Sequence, residues 1–272
     1  MASLSIPGRW RFGEGGAVLW AGRDLASIRR HLAVCLGLIW LMDAALQFQP
    51  YMFGPFFVTQ TIQPAAAGNP EIVANSITWA SHLMLQHQPL SNALFAGIQL
   101  VLAVGILIPR TCKPTIAASM AWALSVWWFG EGLGGILTGA SPLAGEPGGV
   151  LLYALIAVLI WPADGSARSQ QSSVAASGPL GNTGTRVVWL TVWLSFSFYL
   201  LLPANRAPDA VAQILSVTDS QPGWVTALMD REATLADGRG TAISIAIALL
   251  CAATAVGVWY PRLIRPALVI AV

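Results

Sequence analysis

The chain has 272 residues, of which 56% are hydrophobic and only 10% charged, and its net charge is +2. A soluble domain carries about 25% charged residues, and several apolar runs here approach the roughly 20 residues that cross a bilayer. This composition excludes an ordinary soluble domain and predicts an all-α, polytopic helical membrane protein with the lipid bilayer as its first partner. No nucleic-acid partner is expected, because the few basic residues mark loops instead of forming a patch.

In chain order, residues 1–30 are polar and basic, with Arg9, Arg11, Arg23, Arg29 and Arg30. They predict a cytoplasmic segment that anchors the first helix, with no removed signal peptide. The first helix is expected over about 31–49, ending near Pro50, and carries Asp43 and Gln47 four residues apart. Residues 51–90 are too apolar for a free loop and too broken by Pro55, Pro64, Gly68 and Pro70 to span. One or two short helices at the membrane surface are expected there, with His82 and His87 near the end. A second span is expected over about 92–108, stopping at Pro109-Arg110. A third starts near Thr115 and runs into WWFGEGLGG, where Glu131 sits among four glycines. The Gly/Pro turn SPLAGEPGG leads to a short helix over about 150–161.

Residues 163–185 are small and polar and predict a flexible cytoplasmic linker between two membrane units, 31–162 and 186–272. Beyond it a helix is expected over about 186–202, a polar segment over 204–240 and a helix over about 241–260. The last residues, RPALVIAV, begin one more apolar run. Basic residues flank alternate loops, which places the N-terminus in the cytoplasm of a multi-pass plasma-membrane or inner-membrane protein.

The chain also repeats itself. GILIPRTCKP at 105–114 matches GVWYPRLIRP at 257–266, with Pro109 opposite Pro261 at an offset of 152. Pro50 and Pro55 match Pro203 and Pro208 at 153, and Pro70 matches Pro222 at 152. One register over some sixty residues predicts tandem four-helix units. In that register Val272 falls opposite Met120, so the second unit is expected to be incomplete, with further helices in a fuller version. Asp43 falls opposite Phe196 and Gln47 opposite Leu200, so the polar positions belong to the first unit alone.

A basic residue before an apolar helix, a long amphipathic outer segment, a helix closing on a basic turn (GIQLVLAVGILIPRTCKP) and two further helices make up residues 27–162. This arrangement resembles the DoxX-like membrane proteins, with a weaker copy from 186 onward. Those proteins are four-helix units that include quinone-linked subunits of thiosulfate oxidation and relatives serving redox maturation. The resemblance implies a redox-associated subunit, a quinone as cofactor, and other membrane or redox subunits as partners. It carries over no catalytic residue: the family often has an acid near the start of its second helix, and the nearest polar residue here is Gln99.

A carboxylate at the centre of a membrane helix costs roughly 2.5–3.5 kcal/mol on insertion scales, so it marks a partner, a proton or water. Asp43 and Glu131 both fall in the outer half of the membrane when depth is counted at about 1.5 Å per residue. Asp43, Gln47, Glu131 and one of His82 and His87 are therefore expected to line one outward-facing pocket, beside Trp127 and Trp128. Its use is a proton-linked or ligand-binding site; a hydrogen-bond cluster pinning two helices accounts for the same residues. His82 and His87 are five apart and do not share a helical face, so no metal site is expected. No nucleophile triad, phosphate loop or dinucleotide fingerprint occurs, and no catalytic residue is assigned. Three functions follow: a quinone-linked accessory subunit, a transporter of a cation or small solute, or an assembly partner in the membrane. Few polar residues continue toward the cytoplasmic side, which favours the first.

Overall fold

The computed structural model describes residues 25–161, 179–216 and 223–271, and these form helices with no strand among them. Four helices make the bundle of the first half: α1 (Leu25–Leu46), α4 (Gln88–Leu107), α5 (Cys112–Phe129) and α6 (Gly149–Leu159). They are arranged as a ring, with α1 on α4, α4 on α5, α5 on α6, and α6 closing back on α1. Leu36, Leu102, Ala103, Ile106, Ile116, Ala123, Ala157 and Ile160 fill the centre. Small buried residues, Ser119 and Ala123 on α5 and Ala154 and Ala157 on α6, let these helices approach closely. Trp40 is buried in this core, and its indole N–H donates to the Ser119 hydroxyl at 2.8 Å, joining α1 to α5 across the ring. Tyr153 packs edge-on against the Trp40 ring, 5.1 Å between centroids.

Between α1 and α4 the chain makes short turns, three of them with a proline in the first two positions. They are 3-10 turns at Pro50–Phe53 and Gln63–Ala66, the short α2 (Pro55–Phe57) and a π turn at Val58–Ile62. The 16-residue α3 (Glu71–Gln86) follows. Val58, Ile62, Val73 and Ile77 pack under this segment together with Leu133 from beyond α5. The second span starts earlier than the expected 92, because Pro89 lies in the first turn of α4, where its missing N–H costs nothing. The third does not run through the glycine stretch: α5 stops at Phe129, so Glu131 lies outside the helix.

In the second half, α7 (Gly181–Leu200) pairs with α10 (Gly240–Gly257), with the short α8 (Ala210–Leu215) and α9 (Gly223–Ala236) between them and α11 (Ile264–Ile270) after them. The helix starts at Gly181, so the end of the expected linker is helical; the rest of it, 163–178, lies outside the described residues, as do 1–24.

The buried faces of α4 and α10 coincide at a single offset. Gln88, Asn92, Ala96, Gln99, Leu102 and Ala103 are buried on α4. Gly240, Ser244, Ala248, Cys251, Thr254 and Ala255, each 152 positions later, are buried on α10. Gly105 lies against Thr115 where α4 meets α5, and Gly257 lies against Ala267 where α10 meets α11, again 152 apart.

These two helices, α4 and α10, are long and apolar enough to cross a membrane. Their polarity is inverted relative to a soluble bundle: Asn92, Gln99, Ser244 and Thr254 point inward, whereas Leu100, Val101, Val104, Leu249 and Leu250 are exposed. At the ends of the helices carrying Arg110, Lys113, Arg186 and Arg262, Lys113 sits 6.0 Å over the Trp161 ring and Arg186 5.8 Å over that of Trp259. The helix directions put all of these at one end of the molecule, and Glu131 at the other.

Candidate functional site

The site is made by the way α5 ends. The N–H groups of Gly130 and Glu131 both bond the Val126 carbonyl, at 2.7 and 3.1 Å, which unwinds the last turn. The next four residues, Gly132, Leu133, Gly134 and Gly135, all take positive φ, from 55° to 69°. The left-handed region costs an L-residue roughly 1–2 kcal/mol, so the run is glycine apart from Leu133, which is buried in the cluster under α3. At Gly134 the Pro147 carbonyl stands where a Cβ would be. The loop before α6 can therefore close directly onto this turn, and the Trp127 indole N–H holds it there through the Pro147 carbonyl at 2.7 Å.

That closure puts two carboxylates side by side. Glu131 Oε2 is buried with no hydrogen-bond partner. It fills the space beside Gly148, and Glu146 is its charged neighbour. Glu146 itself accepts the Ser141 backbone N–H. Burial first, and the Glu146 charge second, push the Glu131 carboxyl up to about 7, so it exchanges a proton near neutrality. The two acids line a polar cavity of about 460 Å³ with Asn69, Thr61, Thr138 and glycine backbone. Asn69 donates to the Ala65 carbonyl at 2.9 Å and to that of Gly132 at 3.4 Å, and its Oδ1 is buried without a donor.

Tyr153 on α6 lies beside the Asp43 carboxylate on α1 and within electrostatic reach of Glu131.

No family model, curated protein or solved structure matches this chain.

On the other side of the 145–148 loop is a groove of about 520 Å³ between α6 and α7. Its walls are apolar: Leu151, Leu152, Leu155, Val188, Val192 and Phe196, with Trp127 at the loop. Tyr199 donates to the Ile136 carbonyl at 3.0 Å and Asn205 to that of Ala140 at 2.8 Å, tying the end of α7 and the turn after it to the segment 136–140. Gly145, Glu146 and Gly148 border both the polar cavity and the apolar groove.

The residues expected to share one pocket are distributed over several places. Glu131 lines the polar cavity and Trp127 the apolar groove. Gln47 closes the last turn of α1, its N–H donating to the Asp43 carbonyl at 3.1 Å, so the two keep the expected i, i+4 relation, yet Gln47 lines a third cavity. Trp128 donates to Ser76 at 2.8 Å and pins α3 to α5. His82 and His87 are exposed and border none of these three cavities. Among the described residues no group of three His, Cys, Asp or Glu is placed to hold a metal ion. Glu146, Asn69 and Tyr153 were not singled out from the sequence. The signal for Glu146 was an acid in a Gly/Pro turn between two apolar helices, a place that reads equally well as a solvated loop.

Proposed function

We propose that the chain is a multi-pass membrane protein of DoxX-like type, built from two related units with the N-terminus in the cytoplasm. Its function in this reading is that of a quinone-linked accessory subunit. The inverted polarity of the helices supports the bilayer as solvent. The arginine-rich end, with Lys113 and Arg186 over tryptophan rings, supports the cytoplasmic side at that end. The matching buried faces of α4 and α10 support the duplication.

One observation carries the functional reading: a single loop, 145–148, has a large apolar groove on one side and a protonatable carboxylate on the other. A quinone needs both. Its ring and tail are apolar, and its interconversion with the quinol takes up or releases two protons with two electrons. The groove receives the ring from the lipid side, Glu131 exchanges protons with the polar cavity, and a partner redox subunit handles the electrons. Transport across the membrane is less well supported. Leu36, Ile106, Ile116, Ala157 and Ile160 close the bundle between the site and the basic end.

The test is equilibrium binding of a short-tailed ubiquinone analogue to the protein in nanodiscs. Saturable binding is expected, weakened more than tenfold by Val192→Trp, which fills the groove. Glu131→Gln is expected to flatten its pH dependence around neutrality. Binding indifferent to Val192→Trp in a folded protein would remove the reading.

A further inference from the structure

The loop 145–148 stands between the polar cavity and the apolar groove, and three of its residues, Gly145, Glu146 and Gly148, border both. We propose that this loop is a gate worked by the charge of Glu131. It lies closed over the neutral carboxyl and lifts from the ionised one, joining the two spaces. This rests on the reading of cavity and groove as one proton-exchanging site, and supplies the regulation of that site.

The first argument is where Glu131 sits. Its Oε2 atom is buried without a hydrogen-bond partner, in the space beside Gly148 where a Cβ would be. A neutral carboxyl tolerates such a place at the loss of one hydrogen bond, whereas a carboxylate needs donors or water around both oxygens. From the loop, Glu146 faces Glu131 with a charge of the same sign, and from α6 Tyr153 faces it. The other polar side chains of the cavity wall are the uncharged Asn69, Thr61 and Thr138, and no Lys, Arg or His borders it. Glu71 and His82 on α3 are exposed and lie outside the cavity wall, as does Asp43 on α1. Ionisation of Glu131 is therefore relieved by moving the loop. That lets water reach Oε2 and carries Glu146 away from it.

The second argument is how the loop is attached. Gly145 and Gly148, at its two ends, have φ of 89° and 100°. Glycine has the broadest choice of backbone angles, so both ends can turn. Around Gly145 and Gly149 the space that a Cβ would enter is empty out to 4 Å. Two bonds involving side chains hold the loop down: the Trp127 indole N–H to the Pro147 carbonyl at 2.7 Å, and the Ser141 backbone N–H to the Glu146 carboxylate. Lifting the loop frees the Trp127 indole N–H, a group that only donates, at the edge of the groove that Trp127 lines.

Linkage sets the direction. The carboxyl stands at about 7 with the loop closed, and returns toward its ordinary 4.5 once water reaches it. Between these values the open form gains on the closed one about tenfold for each step of one in pH, and above 7 the gain levels off. The whole gain is bounded at about 300-fold, ten raised to the difference between about 7 and 4.5. The gate opens when Glu131 is able to take a proton and closes once it has taken one.

The test is hydrogen exchange of the full chain in nanodiscs, without added quinone, read by mass spectrometry and corrected for the intrinsic exchange rate at each pH. Protection of the peptide spanning 139–150 is expected to fall more than tenfold from pH 5 to pH 7 and to stay level from pH 7 to pH 8, with that of α4 unchanged. Ionisation of Glu146 acts with the opposite sign, because it strengthens the hold on the Ser141 N–H. Glu131→Gln, an uncharged isostere, should keep the loop protected at every pH. Trp127→Phe removes one anchor and should lower protection at every pH while keeping the fall. Equal protection at pH 5 and pH 7 overturns the gate, as does the same fall in Glu131→Gln or a fall shared by α4. Should Glu131→Gln not fold, the Trp127→Phe profile decides, and a flat one overturns the proposal. The quinone reading is tested separately. Saturable quinone binding with exchange indifferent to pH removes the gate alone, and pH-dependent exchange without quinone binding removes the quinone alone.

Discussion

The Oε2 atom of Glu131 occupies the space in which a side chain on Gly148 would begin. The backbone there has φ of 100°, which a side chain also disfavours. Gly148→Ala is therefore expected to strain the loop and expel the carboxylate together, costing about 1–3 kcal/mol or more. Chemical denaturation in detergent measures it. An unchanged midpoint would mean that the two groups do not touch.

Glu131 also sets a pH dependence. Its carboxyl is raised from an ordinary 4.5 to about 7 in the fold. Between these values the folded state binds the extra proton, so folding stability falls as pH rises. Stability from this group is full below about 4.5 and lost by the time the pH has passed through about 7. The melting temperature should thus be higher at pH 5 than at pH 8. Glu131→Gln, which keeps the neutral form at every pH, should flatten this difference. A profile of the same slope in the variant would assign the effect to other groups.

Trp40 and Ser119 give a test of how α1 is held to α5. Single substitutions Trp40→Phe and Ser119→Ala, and the double variant, form a thermodynamic cycle. Interhelical hydrogen bonds in membrane bundles couple by about 0.6 kcal/mol on average and reach about 1.7. Both groups are fully buried here, so the upper part of that range is expected. Coupling near zero would mean that packing, rather than the hydrogen bond, joins the two helices.

The all-helical class and the helix around each apolar run were legible from hydrophobicity and proline placement alone. The break after Phe129 was half legible: the glycines announced it, but not that four residues in succession would turn left-handed. What requires glycine at 134 is the Pro147 carbonyl, which comes from a turn 13 residues on and stands where a Cβ would be. Asp43 and Gln47 illustrate a different limit. The last helical hydrogen bond of α1, Gln47 N–H to the Asp43 carbonyl, keeps their i, i+4 relation, but a shared face does not give a shared cavity: Gln47 lines the third cavity and Asp43 none of the three. Tyr153 was invisible as a site residue because one tyrosine in an apolar helix carries no pattern. The match of buried positions between α4 and α10 was present in the sequence, but of the paired residues only Ala96 and Ala248, and Ala103 and Ala255, are identical, which hides it from inspection.

If the two halves are related units, equivalent substitutions should act alike. Gly105→Leu and Gly257→Leu each force a side chain into the following helix, against Thr115 and Ala267 respectively. Both are expected to destabilise by about 1–3 kcal/mol, the usual cost of overpacking. A large effect at one and none at the other would count against a shared packing scheme.

Sidedness can be read with single cysteines in a background lacking Cys35, Cys112 and Cys251. Thr111→Cys in the α4–α5 turn and Ala67→Cys before α3 should react with an impermeant maleimide from opposite sides of the membrane. Asp237→Cys should behave like Ala67→Cys. Labelling of all three from one face would exclude the membrane topology proposed.

The mirror-handed turn after α5 has a consequence for how this chain can vary. Every single-base change of a glycine codon that alters the residue adds at least a Cβ. At Gly134 that atom meets the Pro147 carbonyl, and at Gly148 it meets the Glu131 carboxylate. Neither position has a harmless mutational neighbour. Thr138 and Ala144, which line the same cavity from more open positions, are under no such restriction. The lining of the pocket can drift and acquire a new preference while its backbone cannot, so relatives of this chain should share the turn even where they no longer share a ligand.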